Sequence, residues 1–95
     1  MSRKIEYSNT LEKKLRKYKG NHPVIEGFKK KAKELEKFQD PSKYGKLLHG
    51  SWKGFQEEHI TSAVIFIFRW LPEHNLIQFI DLDDHKNLYG RDNKV

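Results

Sequence analysis

Ala63-Val64-Ile65-Phe66-Ile67-Phe68-Arg69-Trp70 is a nearly unbroken apolar run of branched and aromatic residues, and it limits the fold more than any other part of the chain. Its length and composition are those of a β-strand, and the lack of polar alternation means that both faces of the strand are covered. Such a strand belongs in the middle of a sheet. Leu71-Pro72-Glu73-His74-Asn75 makes a turn after it, and residues 76–82 read as the second arm of a hairpin. Ahead of it a strand is expected over about residues 54–60, reached through a connector from 40 to 54 that is rich in Pro, Ser and Gly.

The front of the chain follows a different period. Residues 5–7 fit a short edge strand, and Asn9-Thr10-Leu11-Glu12 has capping-box spacing, so a helix is expected to start near Asn9. Leu11, Leu15 and Tyr18 give that helix an apolar stripe, with Gly20 as its stop through the left-handed conformation. Pro23 suits the first position of a second helix, along which Ile25, Phe28, Ala32, Leu35 and Phe38 repeat at helical spacing until Asp40-Pro41. A short helical turn is expected within 83–89, and 91–95 read as a loose tail. Helices first and strands second, with short turns between strands, predict an α+β domain: an N-terminal helical hairpin packed on one face of a small antiparallel sheet, the other face left available. At 95 residues and 36% apolar content, residues 1–95 make one domain with one core.

The chain contains no Cys, which removes disulfides, thiol nucleophiles and zinc-thiolate sites together and fits a reducing compartment. No apolar run approaches the roughly 20 residues that span a bilayer, and Met1-Ser2-Arg3-Lys4-Ile5-Glu6 lacks the apolar stretch of a signal peptide; a cytoplasmic protein without membrane partners is expected. The net charge is +6, and it is unevenly spread. Residues 1–46 hold fourteen Lys/Arg against six Asp/Glu, whereas 47–95 hold five against seven, so the front half is the half that favours a polyanion. Lys29, Lys30, Lys31, Lys33 and Lys37 of the second helix also suit a plain solvated face.

Leu48-His49-Gly50-Ser51-Trp52-Lys53-Gly54-Phe55-Gln56-Glu57-Glu58-His59-Ile60 resembles a motif of YafQ-type toxins, in which a Gly-Ser-Trp-Lys-Gly run leads into a strand carrying a His. Ile67-Phe68-Arg69-Trp70 resembles a strand of the wider RelE and HigB group, and Asp84-His85-Lys86-Asn87-Leu88-Tyr89-Gly90 is similar to the family's terminal His-x-x-Leu-Phe-Gly signature, with Tyr in place of Phe. The resemblance to RelE/YafQ-type toxins of bacterial type II toxin-antitoxin systems is close over residues 44–90, and over 5–38 it rests on the strand-helix-helix order. It implies a RelE-like, microbial-ribonuclease-like fold, and a ribosome-dependent mRNA endoribonuclease that needs no metal or other cofactor. It also implies a cognate antitoxin as partner, besides ribosome and mRNA, and a substrate strand lying on the open face of the sheet.

Cleaving RNA through its own 2′-hydroxyl requires a base for that proton, an acid for the 5′-oxygen and positive charge for the phosphorane. Imidazoles suit both proton transfers, each worth about 10²–10⁴ in rate. His59 and His85 match the family's functional His pattern and are the candidates for these roles. Tyr89 takes the place of the terminal aromatic, where it would stack on or hydrogen-bond to RNA, or simply close the core. Lys46, Lys53 and Arg69 are the candidate phosphate partners. Trp52 reads as packing, His49 as a weaker candidate, His22 as a helix-start residue and His74 as a turn residue.

Three positions depart from the family pattern. Asp81 stands where YafQ-type relatives commonly carry Arg, and Ala63 and Val64 replace an Asp-Trp pair. One possibility is a variant nuclease in which Asp81 or Asp83 orients His85 while Arg69 or Lys53 supplies the missing cation. The alternative is a non-catalytic binding protein of the same fold, either a gyrase-directed ParE-like toxin or an inactive relative that still binds its antitoxin. A third reading is a nucleic-acid-binding module that uses the Lys-rich helices alone, with Lys29 to Lys31 carrying the contact.

Overall fold

The computed structural model describes residues 3–90; the tail expected at 91–95 lies outside them. Strand β1 (Lys4–Tyr7) leads into helices α1 (Asn9–Lys17) and α2 (His22–Lys37), and a connector with single 3₁₀ turns at Pro41–Lys43 and Gly50–Trp52 follows. Within it runs a two-residue strand, β2 (Lys46–Leu47), and then come β3 (Gln56–His59), β4 (Val64–Leu71), β5 (Leu76–Asp84) and the short helix α3 (His85–Tyr89). The five strands form one sheet in the order β1-β5-β4-β3-β2. This is the expected α+β architecture, with β4 central.

One neighbour relation corrects the antiparallel expectation. β1 pairs with β5 in parallel, Lys4 beside Leu76 through Tyr7 beside Phe79, while β2, β3, β4 and β5 pair antiparallel. Two helices carry the chain from β1 to the far edge of the sheet at β2, and the antiparallel run β2, β3, β4, β5 then brings it back beside β1 in the same direction. β1 stops beside Phe79. From there Ser8 continues the edge, its N–H donating to the Phe79 carbonyl at 3.0 Å and its hydroxyl to the Ile80 carbonyl, so α1 packs along the remaining edge of β5.

Ser8 is also the residue that starts α1. Its Oγ accepts from the Leu11 N–H at 3.0 Å, which places the cap one residue before the expected Asn9 and leaves Glu12 outside a capping box. Gly20 does not take a left-handed conformation, because α1 has already ended at Lys17 with the Tyr18 N–H donating to the carbonyls of Lys14 and Arg16. Asn21 caps α2 through the Val24 N–H, and Pro23 occupies the second position of that helix rather than the first.

Leu11, Val24, Phe28 and Leu35 from the helices meet Val64, Phe66, Phe68, Ile77, Phe79 and Leu82 from the sheet in one core. Phe28 stands edge-on to both Phe66 and Phe79, at 5.4 and 5.2 Å between ring centroids, a geometry that adds roughly 1 kcal/mol per pair to area burial. Gly27 lets α2 approach the sheet closely, since a Cβ there would lie 2.6 Å from Ile60 Cγ2. The buried Gln56 amide donates to the carbonyls of Pro41, Ser42 and Tyr44, and this pins the connector against β3. Among the described residues no helix is long and apolar enough to cross a membrane.

Candidate active site on the face opposite the helical hairpin

Strand alternation sorts the side chains. Phe66 and Phe68 face the helices, so Ile65, Ile67 and Arg69 of β4 face away from them. The registers extend that second face across the sheet: His59, Ile65 and Asp83 lie in one row, and Lys46, Glu57, Ile67 and Asp81 in the next. A bulge opposite Ile67/Phe68 resets the pairing, after which Arg69 sits beside Gln78.

This face is less open than the sequence suggests. Ile65 and Ile67 are both fully buried although they point away from the hairpin. α3 turns back onto the face and the Trp52 turn meets it there, with the Trp52 and Tyr89 rings 6.4 Å apart and edge-on. His85, at the start of α3, stands against His59, at the end of β3, with 5.5 Å between ring centroids and 46° between planes. Tyr89 lies one helical turn further on, 5.9 Å from His85. Its hydroxyl donates to Glu57 Oε1, so that proton is already committed within the protein. Burial raises the Tyr89 phenol well above its ordinary value, and the Glu57 carboxylate pushes it further in the same direction. Among the described residues neither imidazole is hydrogen-bonded to another side chain, which leaves their ring nitrogens available to a substrate.

The candidate cations are spread around this pair. Lys46 is exposed and sits across from Glu57; Lys53 is exposed beside the Trp52 turn. Arg69 is on the same face but about 14 Å along β4 from the His59 row, at ~3.4 Å per residue. It donates to Gln78 Oε1 at 2.7 and 3.1 Å and stacks over Phe55 at 5.1 Å. Trp52 packs edge-on to Phe55 as well as to Tyr89. Val64 is buried in the main core and Ala63 is exposed in the β3–β4 turn, so neither brings a functional group to the imidazoles.

Asp81 and Asp83 do not serve His85 as the sequence suggests. Asp81 accepts from Lys14 Nζ at 2.9 Å. Asp83, only 1% exposed, accepts from Tyr18 Oη at 2.6 Å, Lys17 Nζ at 3.0 Å and Asn87 Nδ2 at 3.1 Å, with Lys14 Nζ 3.2 Å away. Burial alone would raise the Asp83 carboxyl, but the bonds from Tyr18, Asn87 and Lys17 outweigh it and hold the group far below the ordinary carboxylate range. On the other side of the same bonds, burial and Asp83 raise Tyr18 strongly. Lys14 is raised because its bonds to Asp81 and Asp83 together exceed the opposing effect of burial. The carboxylates therefore tie α1 to β5 and to the start of α3. Asp84 completes the junction by capping α3, accepting from the Asn87 N–H at 2.7 Å.

A mixed five-stranded sheet under a helical hairpin is the RelE/YafQ-type toxin fold. Among solved structures, the chain is similar to YafQ from E. coli strain BL21(DE3), with 25% identity over 93% of this chain and 99% of that one and a TM-score of 0.77. It is similar also to the toxin of the E. coli DinJ-YafQ toxin-antitoxin complex, with 27% identity over 95% and 100% of the two chains and a TM-score of 0.76. A metal-bound toxin from Helicobacter pylori shares the fold at 23% identity and a TM-score of 0.75, over 90% of this chain and 98% of that one. No protein-family model matches the chain, and no curated protein sequence matches it.

Proposed function

We propose that this protein is the toxin of a type II toxin-antitoxin pair and that it cleaves messenger RNA on the ribosome. The observation that carries the reading is the His59–His85 pair, 5.5 Å between ring centroids, close enough for both rings to reach the oxygens of one phosphodiester. One imidazole takes the 2′-hydroxyl proton as that oxygen attacks phosphorus; the other protonates the departing 5′-oxygen. Lys46 and Lys53, both exposed, are the candidates to supply charge for the phosphorane, and Arg69 would hold a phosphate further along the strand. Tyr89 offers its ring, since its hydroxyl is bound to Glu57. The partner is a cognate antitoxin, as in the similar E. coli complex. Induced expression should halt translation, and purified protein with ribosomes should cut message at codon-defined positions; a wild-type protein that halts nothing and cuts nothing ends this reading.

A second reading is a non-catalytic binding protein of the same fold. It is favoured by Asp81, a carboxylate locked to Lys14 where relatives commonly carry an Arg. It predicts antitoxin binding without cleavage, and codon-positioned cuts would remove it.

A further inference from the structure

We infer that Glu57 is a positioning residue: by accepting the Tyr89 hydroxyl it ties α3 to β3 and so keeps His85 facing His59. The functional half of this inference rests on the nuclease reading; the structural half does not.

α3 is five residues long, far too short to hold a helical conformation without outside contacts. Its first turn is fastened by Asp84, which caps it, and by Asp83, which accepts from the Asn87 side chain. That fixes where α3 begins. It does not fix which way the helix swings across the sheet, and the imidazole of His85 swings with it.

The second fastening comes from two matched spacings. Glu57 and His59 are two apart on β3 and share a face, about 6.8 Å apart along the strand. His85 and Tyr89 are four apart on α3, about 6 Å apart along the helix and on one side of it. The same two elements therefore meet at two successive rungs, His59 with His85 and Glu57 with Tyr89. A bond at one rung sets the alignment of the other.

Glu57 has a physical reason to demand this partner. It is 7% exposed, and among the described residues no cation pairs with it, so an unbonded carboxylate there would be costly. The Tyr89 hydroxyl meets that demand. The aromatic that the resemblance leads one to expect is Phe, which has no hydroxyl; the tie exists in this chain because the position is Tyr.

The test uses the full-length protein with four variants: Glu57→Gln, which keeps an acceptor; Glu57→Ala; Tyr89→Phe; and the double variant E57L/Y89F. The double variant removes both polar groups and so stays folded even if Tyr89→Phe alone, with its stranded carboxylate, does not. Two quantities are read: nuclear Overhauser contacts between the His59 and His85 rings, and single-turnover cleavage of ribosome-bound message. Glu57→Gln should keep the ring contacts and a rate within about threefold of wild type. Glu57→Ala and the double variant should lose the contacts and lower kcat by about tenfold or more at nearly constant KM. Ring contacts that persist in Glu57→Ala overturn the inference. So does a Glu57→Gln rate as low as that of Glu57→Ala, which would make the carboxylate itself a reacting group. If the wild type shows the contacts but cuts no message, the nuclease reading falls, while loss of the contacts in Glu57→Ala still supports the tie.

Discussion

His59 and His85 meet ring to ring, yet neither imidazole is tied to another side chain among the described residues, so on the proposed nuclease reading removing either deletes a proton carrier and little else. His59→Ala and His85→Ala are each expected to slow single-turnover cleavage by about 10²–10⁴ while moving stability by no more than about 0.5 kcal/mol. Parallel cleavage assays and thermal melts check this; intact cleavage in both variants removes the imidazoles from the mechanism. Asp83 behaves in the opposite way, because its work is done in the fold. Its folded-state carboxyl lies below its unfolded value of about 3.9, so its contribution is complete above that pH and is lost as the pH falls through the folded value. Stability should therefore drop on acidification below about pH 4, and Asp83→Asn should flatten that part of the profile; denaturant midpoints between pH 6 and pH 2 measure it. The histidines were legible because each sits in a short motif. Glu57 was not, since one carboxylate in Gln-Glu-Glu-His looks like strand polarity until its partner, far away in sequence, is known. Nor could the order of residues reveal that α1 would claim Asp81 and Asp83 before His85 could.

At the level of elements, the apolar run at β4 and the helical periods at α1 and α2 were readable because each is a repeating pattern with one physical solution. The ends of elements were harder. Asn9 and Ser8 are both good caps, and only the Ser8 hydroxyl also reaches the Ile80 carbonyl across the sheet edge, a contact no local rule foresees. Ser8→Ala should cost about 1 kcal/mol or more for the cap alone. The strand β2 escaped notice for a related reason: two residues carry no period, and its place depends on Gly45. That glycine has φ +72°, and a Cβ there would lie 2.2 Å from the Glu57 carbonyl oxygen. Gly45→Ala should destabilise the protein by roughly 1–3 kcal/mol and disturb β3 at Glu57. A denaturant midpoint equal to wild type would show that the backbone there yields easily.

Over the whole molecule, the charge asymmetry of the sequence turns into a partly neutralised surface. Lys14 and Lys17 are spent on Asp81 and Asp83, and Lys31 on Glu58 at 2.9 Å, which leaves on α2 the exposed Lys30 and Lys29, the latter in a loose, solvent-exposed pair with Glu26 at 3.8 Å, to face a polyanion. If α2 contacts ribosomal RNA, replacing Lys29 and Lys30 by Gln should weaken ribosome binding and reduce its salt slope by up to about two, leaving the rate at saturation unchanged. An unaltered slope would move the contact elsewhere. The parallel β1 could be placed at an edge but not oriented from sequence, because its partner begins at Leu76 and nothing local records a pairing over that distance.

That pairing has a temporal side. Among the described strands β1 is synthesised first and β5 last, and α3 comes later still. At about 5–20 residues per second, the opening strand waits several seconds for its only neighbour. His59 meanwhile lacks the imidazole that faces it. On the nuclease reading proposed above, cleavage has to wait until α3 has set its imidazole against the one on β3.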